Sequence, residues 1–398
     1  MIAISEALKI IRRETFTLPA ETIDLEKSVG RVLAQNVKAD MDLPPFNRSQ
    51  MDGFAVKSKD TKNAPARLKI IGESIAGKGF DGKMKSGEAV RIMTGARLPG
   101  GADAVQKVEL TRETEQFVEI LEAAKSGQHL NLFAAEIKSG EKIFGTGEIV
   151  TEQMIAAIAS FGRAKIKVYK RPRTAILSTG SEIVEISEKP QKDQIRNSNS
   201  LMLKIFAERY SAAEILPHVR DDVPSLTAAI ENATENFDVL ITTGGVSVGD
   251  YDFTKPVLKD LGAEIFFERV SLKPGKPTVF AKRKKCLIFG LPGNPVSAAA
   301  TFYLFARTAL LQMQKAKNCE LKKGAAAVAG AKIKAANERD SVLPARVETD
   351  ENGRLIIESL RFNGSSNFIA FARANALVFV PQGKNLETGA VADIFWLP

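Results

Sequence analysis

The chain has 398 residues, of which 44% are hydrophobic and 26% charged, so it is neither a disordered charged tail nor a low-complexity polymer. At roughly 150 residues per domain, this length predicts two or three domains. The net charge of +9 favours anionic partners. Nucleic acid is not expected among them, because the 22 Phe are not interleaved with basic residues as a stacking surface requires.

The few cysteines and histidines narrow the choice of metal. Cys286 lies in an apolar run and Cys319 in a Lys-rich one, so we expect no structural disulfide. Only His129 and His218 accompany them, which argues against a zinc site built from Cys and His. Any metal should therefore be a hard cation held by oxygen, with Mg²⁺ before Zn²⁺.

The N-terminal residues predict an amphipathic helix, since Ile4, Leu8 and Ile11 share one helical face. This segment lacks the apolar core of a signal peptide, so we expect a cytoplasmic protein. The longest apolar stretch, residues 295–306, is well short of the ~20 residues that span a bilayer. No membrane association is expected.

The first half of the chain is predicted to be rich in strands. Residues 67–121 consist of short apolar runs broken by glycine, which indicates an all-β module, and residues 140–150 continue the pattern. A helix is predicted over 151–161, with Thr151 as its cap and Gly162 as its end. Residues 167–173, KVYKRPR, form a basic connector.

Beyond residue 173, apolar strands alternate with amphipathic helices, which predicts a parallel sheet. Strands are expected at RTAILSTG, AAEILPHV, DVLITTGG, AEIFFERV and in the pair PTVFAKRKKCLIFG. Helices are expected at NSLMLKIFAERY, PSLTAAIENATENF, residues 253–261 and after Pro295. From residue 324 onward, turn-punctuated strands predict a small β domain with a hairpin turn at DENG, residues 350–353.

Three glycine-containing loops follow strands of the α/β region, at residues 178–182, 242–252 and 290–297. Loops at the carboxyl ends of parallel strands meet at one edge, where backbone N–H groups and helix N-termini receive anions. None of the loops matches the dinucleotide fingerprint or the Walker loop. The alternative interpretation is that these glycines only form turns.

Two lysines of the segment KPGKP are candidates for binding an anion. Lys273 and Lys276 lie three residues apart across a Pro-Gly turn, so both ammonium groups can face one ligand. A solvated basic hairpin is the alternative. The run KRKK at residues 282–285 is interpreted as such an exposed hairpin tip.

Carboxylates in or beside the glycine loops point to a cation. Glu182, Asp250 and Asp252 would repel a phosphate unless Mg²⁺ bridged the carboxylate and phosphate oxygens. The alternative interpretation is that these residues are solvated helix caps. In the β part, Asp52 and Thr94 each precede a glycine in a segment dense in turn residues. By spacing alone these are turns or Asx caps, with a functional role as the other interpretation.

Six segments occur in the order PPFNRSQMDGFAV, VRIMTGARLPGGADAV, LSTGSE, TTGGVSVGDYDFTK, KPGKPTVF and GLPGNPVSA. Together they resemble the molybdopterin molybdenumtransferase family, that of MoeA and the gephyrin E domain, and the similarity runs essentially end to end. The resemblance implies a multidomain α/β plus β protomer in a homodimer. Its expected domains are an N-terminal helical part (1–43 and 141–170), an inserted β domain (44–140), a parallel-sheet molybdopterin-binding α/β domain (171–322) and a C-terminal β barrel (323–398).

The same resemblance implies insertion of molybdate into adenylylated molybdopterin, assisted by Mg²⁺, with release of AMP. Contact with the molybdopterin adenylyltransferase is also implied, and the active site would be shared between subunits. The residues implied to bind the pterin nucleotide are Gly244, Gly245, Ser247, Asp252, Lys273, Lys276 and Asn294, with Arg346 and Ser365 or Ser366 from the barrel. The implied catalytic residues are Asp52, Thr94, Glu136, Glu182 and Asp250, with Ser49 beside them. Of these, Asp52, Glu182 and Asp250 would hold the metal.

Two departures from the family pattern concern the inserted domain. Where the family has a basic stretch ending Gly-Glu-Asp, residues 131–137 read NLFAAEI, so Ala134, Ala135 and Glu136 stand there. Asn47 also replaces a more usual Asp. Two other functions therefore stay open: adenylylation of molybdopterin, and a noncatalytic scaffold or interaction dimer.

Overall fold

The computed structural model describes residues 1–220, 222–245, 253–321, 324–358, 360, 364 and 366–397. The chain forms two compact units. Unit 1 comprises Met1–Gln35, Thr146–Ile155 and Lys165–Pro398, and unit 2 comprises Asn36–Gly145 and Ala156–Ala164. This division does not separate the four expected domains, whose boundaries stay predictions.

Strands outnumber helices along the described part of the chain. The helices are α1 (Ile4–Glu14), α2 (Glu152–Ser160), α3 (Ser198–Glu208), α4 (Val223–Asn236), α5 (Thr254–Asp260), α6 (Pro295–Thr301), α7 (Arg307–Met313) and α8 (Phe368–Phe371). The strands of the first half are β1 (Ala20–Asp24), β2 (Val37–Lys38), β3 (Arg48–Ser49), β4 (Gly53–Val56), β5 (Ala66–Ser74), β6 (Glu88–Ile92), β7 (Ala104–Lys107), β8 (Thr111–Glu113), β9 (Phe117–Ile120), β10 (Leu130–Asn131), β11 (Lys142–Phe144) and β12 (Lys165–Tyr169). Those of the second half are β13 (Arg173–Ser178), β14 (Ile183–Val184), β15 (Ile195–Arg196), β16 (Ala212–Ile215), β17 (Val239–Thr243), β18 (Glu264–Phe267), β19 (Leu272–Lys273), β20 (Val279–Arg283), β21 (Cys286–Leu291), β22 (Ala325–Ala329), β23 (Asp340–Thr349), β24 (Leu355–Glu358), β25 (Ala376–Val380) and β26 (Val391–Trp396).

The N-terminal part contains the two predicted helices, and strands and turns make up the rest. In α1, Ala7 and Ile11 are fully buried, and Ile4 and Leu8 pack partly against the same apolar cluster. The helix α2 is followed by Gly162, whose φ of +68° suits a helix end, as the sequence predicted.

The central sheet of unit 1 has the strand order β16-β13-β17-β21-β20-β18. The first four strands are parallel, as predicted, but β20 is antiparallel to both of its neighbours, β21 and β18, so the sheet is mixed. The reason lies in the short KRKK turn: Arg283 pairs with Cys286, and so tight a hairpin joins only antiparallel strands.

Helices cover both faces of this sheet, because successive strand residues point to opposite sides. Ile176 belongs to a core shared with α1, α3, α6 and α7. Its neighbours Ala175 and Leu177 belong to a second core shared with α4 and α5. This is the α/β arrangement that the alternating sequence predicted.

The C-terminal strands close into a five-stranded barrel in the order β23-β24-β22-β26-β25, with β23 pairing again to β25. Barrel closure leaves no free edge among these five strands. The DENG turn is confirmed between β23 and β24, where the carboxylate of Asp350 accepts hydrogen bonds from the amides of Asn352 and Arg354. The predicted fold class, including the terminal barrel, is confirmed.

Unit 2 contains a six-stranded sheet in the order β7-β4-β6-β5-β9-β8, which is antiparallel except for the β5–β6 pair. Its apolar side chains form two clusters: Phe54 and Val56 belong to one, and Ala55 to the other. The inserted region is therefore a β module, as its short apolar runs predicted.

The two cysteines are free, as expected. Burial raises the pKa of the Cys286 thiol to about 12, so it stays protonated near neutral pH. None of the helices in the described part of the chain combines the length and the apolar character that a bilayer crossing requires.

Candidate functional site

The three glycine loops of unit 1 begin at one edge of the central sheet. Ser178, at the end of β13, is in register with Thr243, at the end of β17, and Thr243 is in register with Leu291, at the end of β21. The three strands are neighbours and parallel. Their loops therefore start side by side, in the position where α/β sheets bind anionic ligands.

Close backbone packing explains the paired glycines after β17. A Cβ on Gly244 would lie 2.7 Å from the carbonyl oxygen of Thr179, and one on Gly245 would lie 2.7 Å from the hydroxyl oxygen of Thr254. Both glycines also have positive φ, +92° and +62°. Only glycine lets the first two loops approach each other this closely.

Asn199, near the start of α3, ties two of the loops together. Its Nδ2 donates to the carbonyl oxygen of Gly293 at 2.6 Å and to the hydroxyl of Thr243 at 3.1 Å. Its Oδ1 is buried and, like the buried hydroxyls of Thr179 and Thr254, has no hydrogen-bond partner among the described residues. The edge thus carries polar atoms still able to bind a ligand. Sequence reasoning missed Asn199, although the polar run NSN was the available signal.

A second polar network holds the start of the first loop. The hydroxyl of Ser178, which is buried, accepts a hydrogen bond from Nδ2 of Asn197 at 2.9 Å and lies 3.2 Å from Nδ1 of His218. The Oδ1 of Asn197 caps α3 by accepting from the amide of Ser200. This network fixes the strand end from which the loop departs.

The segment 273–277 leads to the same edge. Val279, the first residue of β20, pairs with Gly290 near the end of β21, so the KPGKP segment arrives where the third loop begins. Lys273 and Lys276 are both exposed, and neither forms an ion pair with any described residue. Lys273 and Lys276 are thus two cationic side chains without an ion-pair partner among the described residues, in the segment that leads to this edge.

Lys273 also lines a cavity of about 340 Å³ with residues 335–339 of the barrel region, including Arg339. Arg339 donates to the carbonyl oxygen of Leu272 at 3.3 Å. By contrast Arg346, the barrel residue that the resemblance pointed to, is paired with Glu348 at 2.6 Å on an exposed strand face. Arg339 is therefore the barrel arginine that lies beside Lys273.

Two further predicted residues of unit 1 are exposed. Asn294 immediately precedes α6, and Glu182 holds its carboxylate close over Gly180. The predicted residues that lie outside the described part of the chain are Ser247, Asp250, Asp252 and Ser365.

In unit 2, the structure brings Asp52, Thr94 and Ser49 together. Asp52 Oδ1 accepts hydrogen bonds from the amide of Thr94 at 2.6 Å and from its hydroxyl at 2.7 Å. The neighbouring Gly95 donates its amide to the carbonyl of Ser49. The two bonds from Thr94 hold the pKa of the Asp52 carboxyl below its ordinary value, so Asp52 is ionised at neutral pH.

The glycine of the MDG segment has a steric reason. A Cβ on Gly53 would lie 2.0 Å from the carbonyl oxygen of Gln106, on the adjacent strand β7. Any larger residue would push β4 away from β7 and displace Asp52, which precedes it. The glycine therefore positions the carboxylate.

Residues 131–137, the segment that differs from the family pattern, donate backbone hydrogen bonds to residues 43–47. The amide of Ala134 donates to the carbonyl of Pro44 at 3.0 Å, and Asn47 Oδ1 accepts from the amide of Phe133 at 2.7 Å. Glu136 lies 3.3 Å from Nη2 of Arg48. Arg48 thus provides Glu136 with a basic neighbour that the segment itself lacks.

Each unit carries an exposed carboxylate that the sequence predicted as a ligand of Mg²⁺. No group of three or more His, Cys, Asp or Glu side chains suited to a metal occurs among the described residues, and Asp250 lies outside them. Asp52 and Glu182 are exposed carboxylates of the kind Mg²⁺ prefers. Each taken alone suits the mode in which Mg²⁺ keeps several waters and binds one or two carboxylates together with substrate phosphates.

The fold and these loops define a multidomain protein built on an α/β domain with an anion-binding edge, and family comparisons give the class more closely. The MoeA N-terminal region (domain I and II) matches residues 2–162. A probable molybdopterin binding domain matches 175–312, and the MoeA C-terminal region (domain IV) matches 326–397.

Individual relatives agree with this over the whole chain. A molybdopterin molybdenumtransferase of Staphylococcus aureus strain Mu50 is 34% identical over 407 residues, covering 99% of this chain and 95% of its own. One from Staphylococcus epidermidis strain ATCC 35984 is 33% identical with the same coverage. The solved moeA protein of Pyrococcus horikoshii OT3 matches with a TM-score of 0.84 and 28% identity over 100% of both chains. The chain belongs to the MoeA family of molybdopterin molybdenumtransferases, transferases of molybdenum cofactor biosynthesis.

Proposed function

We propose that this chain inserts molybdate into adenylylated molybdopterin and releases AMP, with Mg²⁺ as cofactor. The observation that carries the proposal is the pair of exposed lysines, Lys273 and Lys276, which have no ion-pair partner among the described residues and lie in the segment leading to the edge where the three glycine loops begin. A substrate with a terminal phosphate and a pyrophosphate needs such cations, together with loop amides. Molybdate, a tetrahedral dianion, needs the same kind of partner.

The pterin nucleotide would be held by unit 1. Lys273 and Lys276 would neutralise its phosphates, and the loop around Gly244 and Gly245 would offer backbone N–H groups. Asn294 would bind at the start of α6, and Ser247 and Asp252 would act from the second loop. Arg339, beside Lys273 in the shared cavity, is the barrel residue best placed to assist.

Mg²⁺ would be held by Asp52, Glu182 and Asp250 and would neutralise charge on the phosphate and molybdate oxygens. Asp52 suits this task because Thr94 keeps its carboxyl ionised and engages one oxygen, Oδ1. Among the hydrogen bonds of the described residues, none reaches the other oxygen, Oδ2. Glu136 would position molybdate from the insert.

We further propose a homodimer in which Asp52, Thr94 and Ser49 of one subunit complete the site that unit 1 forms in the other. If so, mixing an inactive Asp52→Asn variant with an inactive Lys276→Ala variant should restore part of the activity through heterodimers. No recovery, with subunit exchange confirmed by mass spectrometry of tagged chains, would contradict the shared site.

We place the reaction in the cytoplasm, supplied by the molybdopterin adenylyltransferase, whose product is this substrate. A noncatalytic scaffold is the second candidate, and one observation favours it: Leu132 and Phe133, 54% and 53% exposed, stand where the family has a basic stretch. Such an apolar loop suits a protein contact better than an anion.

Molybdate-dependent release of AMP from adenylylated molybdopterin tests the proposal. The transferase should release AMP only when molybdate is added, and it should require Mg²⁺. A scaffold should bind the pterin without releasing AMP. Formation of the adenylate from ATP would instead identify an adenylyltransferase.

A further inference from the structure

Two arginines of unit 1, Arg31 and Arg171, lie close together outside the glycine-loop edge, and only Arg31 is paired with a carboxylate. The side chain of Arg31 is only 11% exposed, and its Nη2 donates to the carboxylate of Glu21 and to the carbonyl oxygen of Tyr169, the latter at 2.9 Å. Arg31 is therefore compensated. Arg171, two residues after Tyr169 in the basic connector, is close enough to Arg31 for the two charges to repel.

Arg171 has no acidic partner within the described ranges. Its one hydrogen bond runs from Nη1 to the carbonyl oxygen of Glu208 at 3.5 Å, the limit of such a bond, at the end of α3. Its Nε is buried and unpartnered. The carboxylate of Glu208 itself is 3.0 Å from Lys204. Burial and the neighbouring Arg31 lower the pKa of the Arg171 guanidinium, as expected for a cation without a counter-ion.

The guanidinium is bordered by Gly30, which leaves its Nη2 edge open. A Cβ on Gly30 would lie 3.5 Å from Nη2 of Arg171, so a longer side chain there would cover the group. Gly30 has a φ of +77°, which favours glycine independently. Arg171 retains partial exposure. A small ligand can therefore reach the fork of the guanidinium.

We propose that Arg171, with Arg31 beside it, binds a tetrahedral oxyanion of the phosphate type at a site separate from the glycine-loop edge. A guanidinium fork matches two oxygens of such an anion, and the anion supplies the counter-charge that the partly buried Arg171 lacks. Arg171 precedes β13, whereas the first loop follows it. The six residues of that strand separate the two sites by about 20 Å.

The test is the melting temperature of the full chain against inorganic phosphate at constant ionic strength. The parent should gain stability saturably. Arg171→Gln should need at least ~10-fold more phosphate than the parent for half of the maximal rise in melting temperature, because a charge-assisted contact is lost. Lys170→Gln, which removes the same charge from the exposed neighbouring residue, should behave as the parent does. Equal phosphate dependence in the parent and in Arg171→Gln would overturn the site.

Further arms separate this site from the catalytic one and identify its ligand. A Lys273→Gln/Lys276→Gln variant should keep the phosphate effect, and its loss there would assign the effect to the pterin site and overturn the proposal. Molybdate, which is also a tetrahedral dianion, should raise the melting temperature as phosphate does. AMP should raise it as well only if the site accepts a phosphate ester. If the parent shows no phosphate effect but Arg171→Gln changes sedimentation, the arginines belong to a protein interface and the oxyanion site is wrong. If Arg171→Gln fails to fold, Arg171→Lys replaces it in the test, because lysine keeps the charge but lacks the guanidinium fork. Arg171→Lys should need several-fold more phosphate than the parent for the same stabilisation. An unchanged phosphate dependence in Arg171→Lys would refute the site.

Discussion

Thr94 donates two hydrogen bonds to one oxygen of Asp52, from its amide at 2.6 Å and from its hydroxyl at 2.7 Å. The hydroxyl and the amide of one residue thus fix the orientation of the carboxylate. Gly53 fixes the backbone next to it, since only a glycine fits against the carbonyl of Gln106. A surface carboxylate restrained in this way is suited to binding a ligand.

Asp52→Asn should reduce molybdate-dependent AMP release by about 100-fold, because the negative charge that would hold the proposed Mg²⁺ is lost while the geometry is kept. The melting temperature should change little, since Asp52 is exposed. Met51→Leu, an uncharged change at the exposed residue next to Asp52, serves as a control for the segment. Normal AMP release with a depressed melting temperature would mean that Asp52 is only a structural cap.

The stabilising effect of the Asp52–Thr94 pair should depend on pH with a definite sign. Because the pKa of Asp52 is lowered in the folded protein, its contribution is fully present above the ordinary carboxyl pKa of 3.8 and is lost as the pH falls through the lower folded value. The stability difference between the parent and Asp52→Asn should thus be constant from about pH 5 to 8 and shrink in stronger acid. Urea unfolding of both proteins across this range measures it, and a difference that grows on acidification would contradict the assignment.

Lys273→Ala and Lys276→Ala should each weaken binding of the pterin nucleotide by ~10-fold to 150-fold, which corresponds to ~1.5 to 3 kcal/mol for one charge-assisted contact. Lys285→Ala is the matched control, because it removes an exposed charge from the hairpin tip at the other end of β20. Calorimetric titration measures all three affinities. If both lysine variants bind as tightly as the parent and Lys285→Ala, KPGKP is a solvated basic turn.

The elements with strong periodicity were predictable, and the pairing between distant segments was not. The apolar face of α1 and the alternation of Ala175, Ile176 and Leu177 follow from local spacing, and the structure buries these residues as expected. The antiparallel position of β18 depends on its partner β20, and no local pattern encodes that choice. The direction of such a strand is set by the strand with which it pairs.

The same limit applies to the site. The glycine loops and KPGKP were visible because their residue types are unusual for strand ends. Arg339 was not singled out from the sequence, because only the fold of the barrel region shows that it lies beside Lys273, while the role of Arg346, here paired with Glu348, stays a prediction. The ion pair between Arg48 and Glu136 joins residues that are far apart in the sequence. Which cationic side chain is neutralised by which carboxylate follows from the fold and not from the local sequence.

Ala134→Gly should stabilise the protein. Ala134 has a φ of +57°, a left-handed conformation that costs a non-glycine residue about 1 to 2 kcal/mol. Part of this gain is offset by the greater freedom of glycine in the unfolded chain, so we expect about 1 kcal/mol and a rise in melting temperature of about 2 °C. Ala135→Gly, next to it and without a positive φ, should be neutral or destabilising. Equal effects of the two changes would exclude relief of backbone strain.

Glu136 provides the sharpest test of whether the altered insert is still functional. Its carboxylate extends about 1.5 Å farther from the backbone than an Asp would, and a misplacement of ~1 Å can cost about 100-fold in rate. Glu136 is 53% exposed, and its ion pair with Arg48 is a surface pair. Such pairs contribute little to stability, so the Glu136 variants should fold normally and any change in rate can be attributed to function.

We expect Glu136→Ala to abolish molybdate insertion while pterin binding stays unchanged, because Arg48 holds this carboxylate on the segment that the resemblance assigns to catalysis. Glu136→Asp keeps the charge and shortens the side chain, so it should retain part of the activity. Arg48→Gln breaks the ion pair but leaves the carboxylate, which separates positioning by Arg48 from the role of Glu136 itself. The rate of AMP release at saturating and at limiting molybdate decides between these roles: a defect confined to limiting molybdate places Glu136 in molybdate binding, and a defect at both places it in the insertion step. Unchanged rates for Glu136→Ala at both concentrations would mean that this part of the site has lost its function.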